Sequence, residues 1–164
     1  MKRLSWKYVA GLIDGEGCVA VGFRVKVVHG TQGQHGGEER KTIYPQIGLE
    51  VTLTESCKHV LDMLQNNYGG KLYCSGEQKN SNWKPTWSWR LYDRTQCRAL
   101  FQNIKNHLLI KRAQAEFAIW CFDNVRGNVT TEVADCLKCE FKQLKADPHR
   151  LSEKAALKVS ALMR

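Results

Sequence analysis

The sequence predicts an α+β protein with a four-stranded antiparallel sheet and several amphipathic helices. Two pairs of segments alternate between apolar and polar residues, as the half-buried strands of a hairpin do. Before, between and after these pairs, apolar residues recur at a spacing of three and four, which is typical of helices that bury one face. The predicted order is helix, hairpin, helix, hairpin, helix, helix, followed by two C-terminal helices.

The first hairpin joins strands predicted over residues 18–28 and 42–54, with a long loop over 29–41. The residues expected on its core face are Val19, Val21, Phe23, Val25, Val27, Ile43, Ile47, Leu49, Val51 and Leu53. Pro45 cannot donate a ladder hydrogen bond, so it predicts a sheet edge or a bulge.

The second hairpin pairs residues 71–75 with Thr86–Leu91. The residues expected on its core face are Leu72, Cys74, Trp87, Trp89 and Leu91. The tryptophans could instead be stacking platforms for single-stranded bases. Their strict alternation with polar residues favours core packing.

Capping residues mark several of the predicted helices. Thr54 is expected to cap a helix that Tyr68 and two glycines end near residue 68. Asp93 and Gln96 resemble a capping box at the start of a helix over 94–107. Further helices are predicted over 111–125, 131–145 and 152–163.

The first helix is predicted over residues 6–13, with Ser5 as its N-cap. Gly15 and Gly17 are expected to end it, because glycine accepts the left-handed conformation of a C-cap. Gly11 and Gly15 lie one turn apart. They leave a seam without side chains, where a second backbone could approach closely.

Two carboxylates, Asp14 and Glu16, stand at the end of this helix, where the macrodipole is already negative. An acid there is disfavoured unless a positive charge compensates it. A hard divalent cation is the obvious candidate. The alternative is a buried helix with a glycine cap and two solvated acids.

Length and charge limit the class of protein. The 164 residues suit one domain, with a core over about 5–125 and a C-terminal helical segment over about 126–164. The net charge of +9 suits a polyanion partner, although a basic, solvated surface would give the same charge. We find no apolar run that could span a bilayer and no signal peptide. We therefore expect an intracellular protein without a membrane partner, in an organelle or a prokaryotic or archaeal cytoplasm.

Seven cysteines are many for an intracellular chain. Five lie in apolar or amphipathic segments and are expected to be mostly buried thiols. They are Cys18, Cys57, Cys74, Cys97 and Cys121. Cys136 and Cys139 form a CxxC without a second pair at zinc spacing, so a zinc site, a disulfide and free thiols all stay open.

The stretch Val9-Ala-Gly-Leu-Ile-Asp-Gly-Glu-Gly17 resembles the signature of the LAGLIDADG homing endonucleases. The resemblance covers about residues 5–125 and implies the αββαββα fold, with a saddle-shaped sheet that grips the DNA major groove. The motif occurs once, and single-motif members of this family work as homodimers. A two-fold dimer predicts a pseudo-palindromic DNA target.

The resemblance also implies the roles of individual residues. Glu16, with the Gly15 carbonyl, would hold divalent metal beneath the DNA, and Asp14 would be a structural acid. Lys111 matches a lysine that the family places near the scissile phosphate, with Arg112 as a neighbouring candidate. The expected dimer interface is Tyr8, Gly11, Leu12 and Gly15. Magnesium or manganese is the expected cofactor, and calcium is expected to bind without supporting cleavage.

The polar faces of the four strands are the expected DNA-binding surface. Its residues are Arg24, Lys26, Tyr44, Gln46, Glu50, Thr52, Lys71, Tyr73, Ser75, Thr86, Ser88 and Arg90. Glu50 could accept a hydrogen bond from cytosine N4. The sequence departs from the family at Leu53 and Cys57, where relatives carry polar or basic residues that order water. Lys58 or His59 could take over that role.

The resulting expectation is an intron-encoded, site-specific endonuclease that makes a double-strand break with short 3′ overhangs by metal-assisted hydrolysis. One alternative is a non-cleaving nucleic-acid binder on the same fold, either an RNA maturase for intron splicing or a DNA-binding regulator. Retention of Glu16 favours the nuclease. A zinc-stabilised adaptor is a further alternative, but it leaves the motif unexplained.

Overall fold

Strands and helices follow one another in the order that the sequence predicts. The computed structural model describes residues 3–28, 40–75, 85–147 and 149–163. Its elements are α1 (Trp6–Glu16), β1 (Gly17–Val28), β2 (Arg40–Thr54), α2 (Lys58–Tyr68), β3 (Lys71–Cys74), β4 (Thr86–Leu91), α3 (Arg94–Ile104), α4 (Arg112–Asn124), α5 (Thr131–Ala146) and α6 (Ser152–Leu162). The α+β prediction is confirmed. Residues 29–39 of the predicted long loop lie outside the described part of the chain.

The four strands form one antiparallel sheet in the order β1-β2-β4-β3. Strand β4 pairs only with the second half of β2, from Leu49 to Thr54. Pro45 therefore lies where β2 pairs with β1 but not with β4. On that other edge, Ile43 forms an isolated bridge with Val129. Since Pro45 is directly opposite Phe23 in an uninterrupted register, the strand has an edge there and no bulge.

The register places apolar side chains on one face of the sheet, against the helices. Leu49, Val51 and Trp89 are fully buried there, together with Val9 and Ile13 of α1. The indole N–H of Trp89 donates to the Gly69 carbonyl at 2.8 Å, which satisfies the one polar group of this buried ring. The predicted core role of these tryptophan and aliphatic residues is confirmed.

The apolar face of β1 extends beyond the core. Val19 is fully buried and Phe23 packs against the core, but Val25 is 58% exposed and Val27 is 38% exposed. The expectation that Val25 and Val27 point into the core was therefore wrong. Their alternation continues past the part of the strand that the helices cover.

Helices α5 and α6 extend the same buried cluster, through Phe141, Leu144 and Val159. A buried carboxylate links them. Glu140 of α5 accepts from the Arg150 guanidinium at 2.5 Å and from the Lys158 ammonium at 2.9 Å. The two cations compensate the charge of this buried carboxylate, which would be strongly destabilising without a partner. No helix of the described residues has the length and apolar character to cross a membrane.

The end of α1 differs from the prediction. The helix continues through Gly15 to Glu16, and Gly17 is extended, with φ −81° and ψ 154°, so neither glycine forms a left-handed cap. Gly17 is required for space. A Cβ added there would lie 2.7 Å from the Ile13 carbonyl oxygen and 2.8 Å from the Ile13 Cα. Gly69, with φ 78°, is the left-handed residue that ends α2, as predicted.

Two other helix boundaries also differ. A 3₁₀ turn over Glu55–Cys57 precedes α2, and the Thr54 hydroxyl bonds to the Ser56 hydroxyl at 3.0 Å instead of capping the helix. Helix α3 ends at Ile104 and continues as a 3₁₀ turn. Its N-cap is confirmed, since the Asp93 carboxylate accepts from the Gln96 backbone N–H at 2.8 Å.

The cysteines are less buried than predicted. All seven are free thiols; Cys97 and Cys121 are buried, but Cys18 and Cys74 are exposed. Cys18 lies on the polar face of the sheet, and Cys74 lies on the apolar face at the end of a short edge strand. Burial raises the pKa of the Cys97 thiol to about 12 and also raises the pKa of Cys121, so both stay protonated at neutral pH.

Replacing Gly17 tests the close contact at the end of α1. Gly17→Ala should lower the free energy of unfolding by about 1–3 kcal/mol, because the added methyl group must displace backbone atoms of Ile13. Urea denaturation followed by circular dichroism measures this change. Gly22→Ala is the matched control, since a Cβ there comes no closer than 3.8 Å to the Gln46 carbonyl oxygen. Equal stability of the two variants would contradict the explanation.

Candidate nucleic-acid interface and cleavage site

Hydrogen bonds join the C-terminal end of α1 to the segment that precedes α4. The Asp14 carboxylate accepts three backbone N–H groups, from Leu109 at 2.6 Å, Ile110 at 3.2 Å and Lys111 at 2.9 Å. In return, the Lys111 ammonium donates to the carbonyls of Ile13 at 2.9 Å and Asp14 at 2.5 Å. Asp14 is thus engaged in the protein's own structure, as the resemblance implies.

Lys111 is partly buried, and its ammonium lies among the last carbonyls of α1. The Ile13 carbonyl also accepts the Gly17 backbone N–H, and the last carbonyls of the helix carry the negative end of its dipole, so a cation stabilises them. The predicted catalytic lysine therefore lies beside the motif, but its contacts are with the helix end. Its neighbour Arg112 is paired with Glu116 at 2.9 Å.

The Glu16 side chain is exposed and has no hydrogen-bond partner among the residues that the structure describes. Glu16 and the adjoining Gly15 are the predicted metal ligands. Within the described ranges, no group of three or more histidine, cysteine, aspartate or glutamate side chains could hold a metal ion. One chain thus offers a single uncommitted carboxylate at this end of α1, next to the Gly15 carbonyl.

One side of α1 is open to the outside. Tyr8 is 48% exposed, Gly11 and Gly15 are exposed, and Leu12 is partly buried. Apart from the adjoining backbone of α1, a Cβ added at Gly11 or Gly15 would have no atom of the described residues within 4 Å. The chain's own packing therefore does not require glycine at either position. These residues are the predicted dimer interface.

The polar face of the sheet holds all twelve predicted DNA-binding residues, because the strand register puts them on the same side. Several are already paired across strands. Arg24 donates to Gln46 at 3.1 Å, and Arg90 donates to Glu50 at 2.9 Å. The Arg90 guanidinium also lies 4.8 Å from the centre of the Tyr73 ring. These pairs hold long side chains in defined positions on the face.

The hydroxyl groups of this face are paired in the same way. Thr52 bonds to Ser88 at 2.7 Å, and Ser75 bonds to Thr86 at 2.8 Å. The other predicted residues carry exposed side chains, namely Lys26, Tyr44 and Lys71. The face therefore offers donors and acceptors of both kinds, and its cations outnumber its single carboxylate.

A hollow of about 300 Å³ opens on this face. Its walls include Arg24, Gln46, Lys71, Tyr73, Arg90 and Tyr92. Sequence reasoning missed Tyr92, because the predicted strand stops one residue before it. The glycine at position 48 is the sequence feature that indicates a bulky neighbour on this face. A Cβ added there would lie 2.6 Å from the Leu91 carbonyl oxygen and would collide with the Tyr92 ring. Burial raises the pKa of Tyr92, so its hydroxyl stays protonated and can donate a hydrogen bond.

Lys58 and His59 are the residues proposed to replace the polar or basic side chains that relatives carry at the positions of Leu53 and Cys57. The Lys58 ammonium is held by Asp62 at 2.7 Å and lies 4.6 Å from the centre of the Trp87 ring. The Trp87 indole N–H in turn donates to Glu55. His59 is exposed. Of the two proposed substitutes, Lys58 is committed to contacts within the chain and His59 is accessible.

The CxxC pair lies on α5. Cys136 is partly buried, while Cys139 is exposed and accepts from the Gln143 amide at 3.2 Å. Both thiols are free, and the described part of the chain has no cluster of further ligands around them that could hold a metal.

Comparison with known proteins identifies the fold. No family model matches the sequence, and no curated protein matches it. The chain is similar over 97% of its length to the homing endonuclease I-CvuI in complex with the I-CreI target at 2 mM Mg, with the DNA not cleaved. The TM-score is 0.51 at 15% identity, and the match covers 94% of that chain. I-CvuI with its own target and 2 mM Ca matches with the same TM-score and coverage at 16% identity. The LAGLIDADG meganuclease I-AabMI, bound to uncleaved DNA, matches with a TM-score of 0.49 at 21% identity, over 73% of this chain and 36% of that one.

The four-stranded sheet, with helices on one face and a polar surface on the other, is thus the scaffold of a class of DNA-cleaving proteins. The chain has the fold of the LAGLIDADG homing endonucleases, as its motif predicts.

Replacing Asp14 tests whether its charge holds the end of α1. Asp14→Asn should lower the free energy of unfolding by about 1–3 kcal/mol, because an amide has one acceptor oxygen and its NH₂ group would face a backbone N–H. Urea denaturation measures the difference. Asp62→Asn, which removes only a surface ion pair with Lys58, should change stability by less than about 1 kcal/mol. If Asp14→Asn were no more destabilising than this control, the three hydrogen bonds would not be structural.

Proposed function

We propose that the chain is a site-specific DNA endonuclease that works as a homodimer. The observation that supports this most directly is that the Glu16 side chain is exposed and has no hydrogen-bond partner among the described residues. Asp14 and Glu16 lie two residues apart at one helix end, and only Asp14 forms hydrogen bonds with residues that the structure describes. The Glu16 carboxylate lies beside the exposed side of α1 that Gly11 and Gly15 form. Strand β1 begins at the next residue and carries Arg24 and Lys26 on its polar face.

A second copy of the chain would complete the site. A two-fold axis along the seam of Gly11 and Gly15 would bring two Glu16 carboxylates together. Exposed carboxylate and carbonyl oxygens are the donors that magnesium and manganese prefer. A divalent cation held there would supply charge neutralisation at the phosphate and an activated water. A single chain, with one uncommitted carboxylate at this place, would bind such a cation weakly.

The remaining residues position the DNA and the acid. Asp14 and Lys111 fix the end of α1, so that Glu16 has a defined place relative to the sheet. The paired side chains Arg24, Gln46, Glu50 and Arg90 present directional donors and acceptors to base edges. We further propose that residues 1–164 act as one endonuclease domain, on a long pseudo-palindromic sequence at the junction of an allele that lacks the encoding intron.

Glu16→Gln separates binding from cleavage. The variant should still bind DNA but should lose cleavage in the presence of magnesium, because the amide removes the negative charge that a cation needs. The assay incubates protein and magnesium with a plasmid library of random inserts, followed by sequencing of the linearised molecules. The selected duplex then serves for binding measurements on both proteins.

Glu153→Gln, at an exposed position of α6, is the control and should cleave like the wild type. Unchanged cleavage by Glu16→Gln would remove this residue from the mechanism. DNA binding without any scission by the wild-type protein, in magnesium and in manganese, would instead favour a non-cleaving binder on the same fold.

The seam can be tested by filling it. Gly11→Ala should raise the stability of the isolated chain by roughly 0.5–1 kcal/mol, because alanine is the better helix former and its Cβ would contact no described residue outside the adjoining turns of α1. The same methyl group should weaken self-association, measured by sedimentation velocity over a range of protein concentrations. Asn66→Ala, at an exposed position of α2, should leave association unchanged. Self-association of Gly11→Ala equal to that of the wild type would place the dimer contact elsewhere.

A further inference from the structure

Helix α5 carries three lysines in a single row. Lys138, Lys142 and Lys145 are spaced by four and three residues, so they lie on the same side of the helix. Helix α5 packs against β1, and the row follows that strand. The three lysines, with Val21 and Phe141, line a shallow groove of about 270 Å³ between the helix and the strand.

Among the residues that the structure describes, few carboxylates lie beside this row of lysines. The Lys145 ammonium lies 3.2 Å from the Cys18 sulfur, and the Lys138 ammonium lies 4.9 Å from the centre of the Phe23 ring. Neither of these contacts brings a carboxylate next to the ammonium group. Lys138 has one carboxylate nearby, Asp135 at 3.6 Å, and both side chains are more than half exposed, so this pair contributes little. In the described part of the chain, Lys142 and Lys145 form no ion pair.

Other cations of the C-terminal segment are used differently. Arg150 and Lys158 are both bound to buried Glu140, which ties α5 to α6. Lys138, Lys142 and Lys145 bind no buried carboxylate within the described part of the chain. Like charges at this spacing on one helix repel each other, so the row is slightly destabilising without an anion beside it.

The Lys145 end of the row meets the polar face of the sheet at Cys18, whereas Lys138 lies against Phe23, whose side chain is on the apolar face. Strand β1 is the edge strand, and Cys18, which Lys145 touches, lies on the polar face directly opposite Glu50. The same strand carries Arg24 and Lys26 on that face. The Lys145 end of the row therefore adds positive charge at the edge of the face that carries Arg24 and Lys26.

We propose that Lys138, Lys142 and Lys145 bind the phosphate backbone of the duplex along the outer edge of β1. This inference rests on the proposed function for its ligand. Lysines on flexible stems act as point charges, so these contacts strengthen binding equally on all sequences. They widen the DNA-binding surface beyond the strands that face the bases.

The test is the salt dependence of DNA binding. The triple variant Lys138→Gln, Lys142→Gln, Lys145→Gln and the wild type are titrated with a fluorescent duplex of arbitrary sequence, at several potassium chloride concentrations. Each phosphate contact contributes roughly 0.9 to the slope of log K against log salt concentration. The slope of the triple variant should therefore be shallower by about two to three, with weaker binding at every salt concentration.

Two controls separate charge from structure. A triple variant with arginine at the same positions keeps the charge and should retain the wild-type slope. Lys154→Gln, on a helix that packs on α4 and α5, should also retain it. An unchanged slope in the triple glutamine variant would overturn the inference while leaving the proposed function intact. Failure of the wild-type protein to bind any duplex would overturn both.

Discussion

The fastening of the end of α1 to the segment before α4 is the constraint on which the candidate site depends. A helix ends with unpaired carbonyls and a negative dipole, and this helix places two carboxylates at that end. The Lys111 ammonium supplies the compensating charge by donating to the carbonyls of Ile13 and Asp14. Three backbone N–H groups satisfy the Asp14 carboxylate. Arg94 does the same for α4, with its guanidinium donating to the carbonyls of Cys121, Phe122 and Val125.

This arrangement divides the work between the two acids of the motif. Successive helical residues are rotated by about 100°, so side chains two positions apart point to nearly opposite sides of the helix. Asp14 therefore turns inward to the segment over residues 109–111, while Glu16 turns outward. Gly17 follows at once because no side chain fits beside the Ile13 carbonyl. The helix end is thus fixed on one side and chemically available on the other.

Local periodicity was enough to predict most of the fold. The inward and outward faces of β2 and β4 were correct because side chains alternate along any strand, and Asp93 and Ser5 were correct as N-caps because capping is local. The errors concern helix ends, at Gly15, Gly17 and Thr54, and how far the core extends. Val25, Val27 and Cys74 follow the alternation correctly, but local sequence does not say how far the helices cover the apolar face of the sheet.

The candidate site was predictable in its residue types and less so in its contacts. The resemblance pointed to Asp14, Glu16 and Lys111, but Asp14 and Lys111 are 97 residues apart, and their hydrogen bonds exist only in the folded chain. The pairing of Glu50 with Arg90, across 40 residues, also depends on the strand register. The lysines of α5 look like an ordinary solvated helix face in the sequence, because their position beside β1 is a tertiary feature.

The pairing pattern explains how one basic surface could serve both sequence reading and general attraction. Arg24 and Arg90 are held by Gln46 and Glu50, so their planar guanidinium groups lose little further freedom when they donate to a base edge. The partner carboxylate of Arg90 also lowers its attraction for phosphate at any sequence. Lys138, Lys142 and Lys145 have the opposite character, since they are flexible and few of the described carboxylates lie beside them. In this proposal, the lysines attract any polyanion, and the paired side chains distinguish one base sequence from another. Added salt would then weaken the lysine contacts more than the contacts of the paired side chains.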